Sequence, residues 1–99
     1  MEEIKEKLEM ILNLLILLNR AEIKSIILEY LTENDELHLY QESDGIKSTR
    51  QLEEIAGISR SKVSSCWDKW TKIGIMKKND QNRGIRLFDL DFLNINYND

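Results

Sequence analysis

The chain of 99 residues is predicted to be mainly α with a small β-hairpin, and three observations carry that prediction. Apolar residues recur at spacings of three and four through much of the first 73 positions, the period of a helix with one buried face. Two such segments lie only three residues apart around Gly57, each preceded by a serine and closed by a glycine. Beyond them, two short apolar runs carrying basic residues flank the polar stretch 79–84, as in a hairpin.

The length suits one domain, and without prolines, repeats or a low-complexity linker, residues 1–99 are read as a single unit. The 41% hydrophobic and 32% charged content is that of a soluble globular protein. A lone cysteine cannot form an intramolecular disulfide. The start, Met1-Glu2-Glu3-Ile4-Lys5-Glu6, is acidic where a secretory signal is basic. The apolar run from Met10 to Leu18 is broken by Asn13 and is about half the length a bilayer crossing needs. The expected location is therefore the cytoplasm, with no membrane partner.

Charge is unevenly distributed. Residues 1–45 hold eleven acidic and four basic side chains, a net of −7, whereas residues 46–86 hold four acidic and ten basic, a net of +6. Three aspartates in the tail bring the total to −4. Taken alone, this asymmetry fits either a middle segment facing a polyanion or a set of solvated faces. On the polyanion reading, the acidic helices within residues 1–33 lie on the opposite side of the domain.

Residues 3–19 are predicted to form the first helix, with Ile4, Leu8, Ile11, Leu15 and Leu18 on one stripe. Leu12, Leu14, Ile16 and Leu17 widen that stripe until the second half is apolar nearly all round. The helix either packs only on its own domain or associates with a copy of itself. With so little other core to cover it, self-association through residues 1–20 is the expectation, with those five stripe residues at a homodimer interface. A second helix is expected over 21–32, with Ile23, Ile26, Ile27, Tyr30 and Leu31 on one face. Leu37-His38-Leu39-Tyr40 alternates like a strand, yet Asn34 could cap one more helical turn there. Ser43-Asp44-Gly45 is a turn, after which Ile46 is expected in a short strand.

Ser48-Thr49-Arg50-Gln51 has the form of a capping box, and the helix it opens runs through Leu52, Ile55 and Ala56 to Gly57. Ile58 points inward and Ser59 caps the next helix, 60–73, whose apolar stripe is Val63, Cys66/Trp67, Trp70 and Ile73. Gly74 ends it, and Ile75–Lys78 and Ile85–Phe88 are the expected hairpin strands. The run STRQLEEIAGISRSKVSSCWDKWTKIGIMKK resembles the winged helix–turn–helix of prokaryotic and archaeal transcription regulators. Leu52, Gly57, Ile58, Ser59, Val63 and the closing IGIMKK fall where that family places its core, turn and wing entry. One position departs. Where the family usually has alanine, four residues before the turn glycine, this chain has Glu53, so the first helix is expected to sit slightly apart or Glu53 to bend to solvent.

The resemblance implies a winged helix–turn–helix over 46–88, preceded by the self-association helix, acting as a homodimeric transcriptional regulator on double-stranded DNA. Ser59, Arg60, Ser61, Ser64 and Ser65 are then the expected base contacts, Arg60 because its planar fork matches the two acceptors of guanine. Lys62, Lys69, Lys72, Lys77, Lys78, Arg83 and Arg86 are expected on phosphates, which position without reading sequence. Trp67 and Trp70 could stack on bases, but their spacing from Val63 assigns them to the core. Cys66, at the edge of that stripe, reads as a small buried apolar residue, and His38 stands apart from any cluster at metal-ligand spacing. No triad, glycine-rich phosphate loop or isolated carboxylate pair points to an enzyme, so no cofactor, metal or small-molecule substrate is expected. The alternative is a winged-helix protein-interaction module within a transcription or replication complex.

Overall fold

A computed structural model describes residues 2–97. They form five helices, α1 (Glu2–Leu18), α2 (Arg20–Tyr30), α3 (Asn34–Glu42), α4 (Thr49–Ala56) and α5 (Arg60–Ile73), followed by the strands β1 (Met76–Lys78) and β2 (Gly84–Arg86). The architecture is mainly helical with one two-stranded antiparallel hairpin, paired Met76 to Arg86, Lys77 to Ile85 and Lys78 to Gly84. Among the described residues no helix is long and apolar enough to cross a membrane.

Local chemistry explains most boundaries. The Asn19 side chain bonds back to the Leu15 carbonyl at 2.8 Å, separating α1 from α2 after a single residue. The ambiguous stretch 37–40 is helical. Glu33 rather than Asn34 takes the cap position of α3, and the Glu36 carboxylate accepts from the Glu33 N–H at 3.2 Å. In α4, Ser48 Oγ accepts from Gln51 N while Gln51 Oε1 accepts from Ser48 N, the reciprocal box its residues predict. Gly57 then turns the chain at φ +73°, a conformation costly for any residue with a Cβ.

The strand expected at Ile46 does not form there. Asp44 Oδ1 accepts from the N–H groups of Ile46 and Lys47 at 2.9 and 3.0 Å, so the chain turns and leaves Ile46 exposed. Pairing falls two residues earlier: Asp44 bridges Ile85, with Gly45 N–H on Gly84 O and Arg86 N–H on Ser43 O. The returning strand likewise ends at Arg86 rather than Phe88, because the Phe88 N–H is spent on the Tyr40 hydroxyl.

Ile27, Leu31, Leu39, Tyr40, Leu52, Val63 and Trp70 lie at the centre, joined by Leu90, Leu93 and Ile95 from the C-terminal segment. Trp70 meets Tyr40 edge-to-face at 5.5 Å. The Tyr40 hydroxyl donates to Ile75 O at 2.6 Å, fixing the entry to β1. Trp67 Nε1 donates to Ser43 Oγ at 3.0 Å, and that hydroxyl donates to Leu39 O at 2.8 Å. Gln41 clamps the tail onto α3, its amide donating to Asp89 Oδ1 and its carbonyl accepting from Leu90 N. Both tryptophans therefore belong to the core, and Cys66 is buried beside them with its thiol pushed up by burial.

Candidate nucleic-acid interface

Helix α5 is held by one face and free on the other. Val63, Cys66, Trp67 and Trp70 are buried, while Ser61, Ser64, Ser65, Asp68, Lys69 and Lys72 are exposed. At 100° per residue these two sets occupy opposite sides of the helix. All five residues expected at bases, Ser59, Arg60, Ser61, Ser64 and Ser65, are exposed, but they are not equivalent. Ser59 is the N-cap, its Oγ accepting from Lys62 N at 3.2 Å and lying 3.3 Å from Ser61 Oγ, so its acceptor is committed to the helix.

Glu53 turns onto the start of α5 instead of bending to solvent. Its Oε2 accepts from the Arg60 N–H at 3.0 Å and lies 3.6 Å from Arg60 Nε. A second amide of the α5 N-terminus is thereby satisfied, at the positive end of the helix dipole. The longer acidic side chain spans the gap between α4 and α5 that a shorter residue would leave unbridged. It also holds the Arg60 guanidinium at the turn.

The expected phosphate contacts divide into two groups. Lys62 points to α3, 3.8 Å from Glu33 Oε2 and 3.7 Å from Asp35 Oδ2. Partial burial pulls its ammonium down, but the Asp35 and Glu33 carboxylates outweigh that and hold it above the ordinary lysine value. The acidic N-terminal half thus reaches the edge of α5 instead of standing wholly behind it. Lys78 pairs with Asp68 on α5, and Arg83 donates to the Ile46 carbonyl. In contrast, Lys69 and Lys72 on α5 and Lys77 on β1 are exposed and form no ion pair among the described residues. Arg86 is half-buried on β2.

Between α4, α5 and the hairpin lies a groove of about 260 Å3, lined in part by Ser48, Thr49, Ser64, Lys78, Asn82 and Arg83. The fold thus gathers Ser64, Lys78 and Arg83 into one concave surface and leaves Arg60, Lys62, Lys69 and Lys72 outside its lining. Asn79 organises its rim: Oδ1 accepts from Gln81 N and Arg83 N, and Nδ2 donates to Gly45 O at 2.7 Å. Ser48, Thr49 and Asn82 were not among the contacts expected from sequence, because motif spacing along one helix says nothing of what faces it from another element. The Glu53 contact did leave a signal, the departure from alanine.

The five residues expected at a dimer interface are all open: Ile4, Leu8, Ile11, Leu15 and Leu18 are 53–74% exposed. No described residue of α1 is buried, and only Ile16 is half-covered by the chain's own core. His38 stacks on Tyr97 with ring centroids 5.5 Å apart. No protein family, curated protein or solved structure matches this chain.

Proposed function

We propose that the protein is a cytoplasmic, homodimeric winged helix–turn–helix regulator that binds double-stranded DNA sequence-specifically, with α5 in the major groove and the β1–β2 hairpin as a wing against the backbone. The observation that carries this reading is α5 itself: glycine-turned at its start, anchored by two buried tryptophans, and open along a face of short serines edged by Lys69 and Lys72. Serines permit close approach to base edges, and flanking lysines that form no ion pair among the described residues suit phosphates. The groove edged by Ser48 and Arg83 adds polar donors on the wing side.

One observation favours the second reading, a protein-interaction module. Arg60, Lys62 and Lys78 each face a carboxylate of their own chain, which lowers the net charge offered to a polyanion. Binding to a fluorescent random duplex, followed by anisotropy at low salt, separates the two. Selection from a randomised pool then supplies a preferred site. On it, Arg60→Ala is expected to cost about 1–3 kcal/mol and relax selectivity, while Lys72→Ala weakens every duplex alike. No binding at low salt overturns the DNA reading.

A further inference from the structure

We infer that the homodimer is closed by four helices, each α1 lying between α1 and α2 of the partner copy, rather than by a two-stranded pairing of α1 alone. This rests on the homodimer reading above and concerns what covers the rest of α1. Two apolar seams run along the helix. The first is Ile4, Leu8, Ile11, Leu15 and Leu18; the second is Met10, Leu14 and Leu17, all about half exposed or more. At 100° per residue the second half of α1 is apolar over an arc of about 220°, against roughly 100° for an ordinary buried stripe. The side facing the chain's own core, at Ile16, is outside the arc of these two seams. A single partner helix therefore covers one seam and leaves the other in water.

Area makes the same distinction. At about 200 Å2 per side chain, the first seam offers roughly 600 Å2, short of the about 800 Å2 per partner of a standard interface. With the second seam and Leu12 the surface rises to roughly 1,000 Å2, which meets it.

The partner copy carries a matching surface close by. On α2, Ile26 is 45% and Tyr30 37% exposed, at positions four apart on one stripe, although the core-facing residues of that helix are Ile27 and Ile23. Glu22 precedes Ile26 on that stripe and Glu29 adjoins Tyr30, whereas Lys7 lines an apolar recess of about 380 Å3 with Met10, Ile11 and Leu14. Seating the second seam on the partner's α2 brings Lys7 toward acidic neighbours and covers both exposed apolar sets at once. A second copy thus supplies both the apolar area and the complementary charge that this face of α1 calls for.

The test is light scattering and sedimentation of the full chain with three variants, Leu15→Glu in the first seam, Leu14→Glu in the second and Ile26→Glu on α2. All three sites are largely exposed in the single chain, so circular dichroism and tryptophan fluorescence should report an intact fold. The parent is expected at twice its 11.7 kDa chain mass, and each variant should raise the dissociation constant at least tenfold. A dimer broken by Leu15→Glu but indifferent to Leu14→Glu and Ile26→Glu overturns the four-helix arrangement and leaves the homodimer standing. A tetrameric parent also overturns it, since the second seam then meets another α1. A monomeric parent at high micromolar concentration removes both, as does one that instead sediments with phosphatidylserine–phosphatidylcholine vesicles.

Discussion

Single side chains decide how α5 is presented. Glu53 and Ser59 share the work of ending the orphan amides at its start, so they should be separable from Arg60 by experiment. Glu53→Ala is expected to lower stability by about 1 kcal/mol, the usual worth of a capping acceptor, with Glu53→Gln keeping part of it. Arg60→Ala should barely change stability, because an exposed ion pair contributes little. Urea midpoints of the three variants measure this, and equal losses would assign the stabilisation to the ion pair instead of the amide bond. Tyr40 makes a second residue-scale case. Burial raises its hydroxyl from 10.0 to about 12, outweighing the Phe88 N–H that favours the anion. A proton held more tightly in the folded state stabilises fully below pH 10, and that contribution is lost as pH rises from about 10 toward 12. Tyr40→Phe is expected to cost about 1–3 kcal/mol at pH 7, leaving the Ile75 carbonyl and Phe88 N–H without their partner. Denaturation at pH 7 to 11 should show the gap between parent and variant narrowing as pH rises; a constant gap would show that the Tyr40 hydroxyl has the same pKa in the folded and unfolded states.

At the scale of elements, the hairpin depends on how closely it lies on α5. A Cβ at Gly84 would stand 2.7 Å from Trp67 Cδ1 and 2.6 Å from Met76 Sδ. Neither the buried indole nor the strand beside it can recede without opening the core, so β2 must move. Gly84→Ala is expected to cost about 1–3 kcal/mol, in the range of other overpacked sites. Because Trp67 Nε1 is bonded to Ser43, the displacement should also appear in the near-ultraviolet dichroism. On the DNA reading, the same variant weakens duplex binding beyond what its stability loss explains, since the wing is lifted from α5. Unchanged binding by a correctly folded Gly84→Ala protein would argue that the hairpin makes no contact with the duplex.

At the scale of the molecule, net charge and local charge point in opposite directions. The chain carries −4 overall, yet at physiological salt fields decay over about 8 Å, well within the 40 × 29 × 22 Å extents of the fold. On the DNA reading, binding then follows the charges at the surface that meets the duplex. Lys62 is screened by Glu33 and Asp35, and Lys78 by Asp68, which leaves Lys69, Lys72 and Lys77 as the least encumbered cations. On the DNA reading, two or three phosphate contacts per subunit of a dimer predict a log–log salt slope of about −4 to −5, at roughly −0.9 per contact. A salt titration of the anisotropy assay reads that slope directly. A slope near zero would leave the basic half without a polyanion partner.

The sequence by itself determined the features that depend on neighbours along the chain. Ser48 and Ser59 as caps, Gly57 and Gly74 as helix ends, and the buried Val63–Trp67–Trp70 stripe are all found where it predicts them, because caps, turns and helical faces are set within four or five residues. The exposed seam of α1 was legible for the same reason: period alone shows that too many apolar residues share one helix. Tertiary structure decided what crosses between elements. It made residues 34–42 a helix rather than a strand, and it brought Leu90, Leu93 and Ile95 into the core from a tail without periodicity. It also turned Glu53 onto Arg60, Glu33 and Asp35 onto Lys62, and Asp68 onto Lys78. Side chains find such partners through space, and a charge count along the chain has no term for the distance between them.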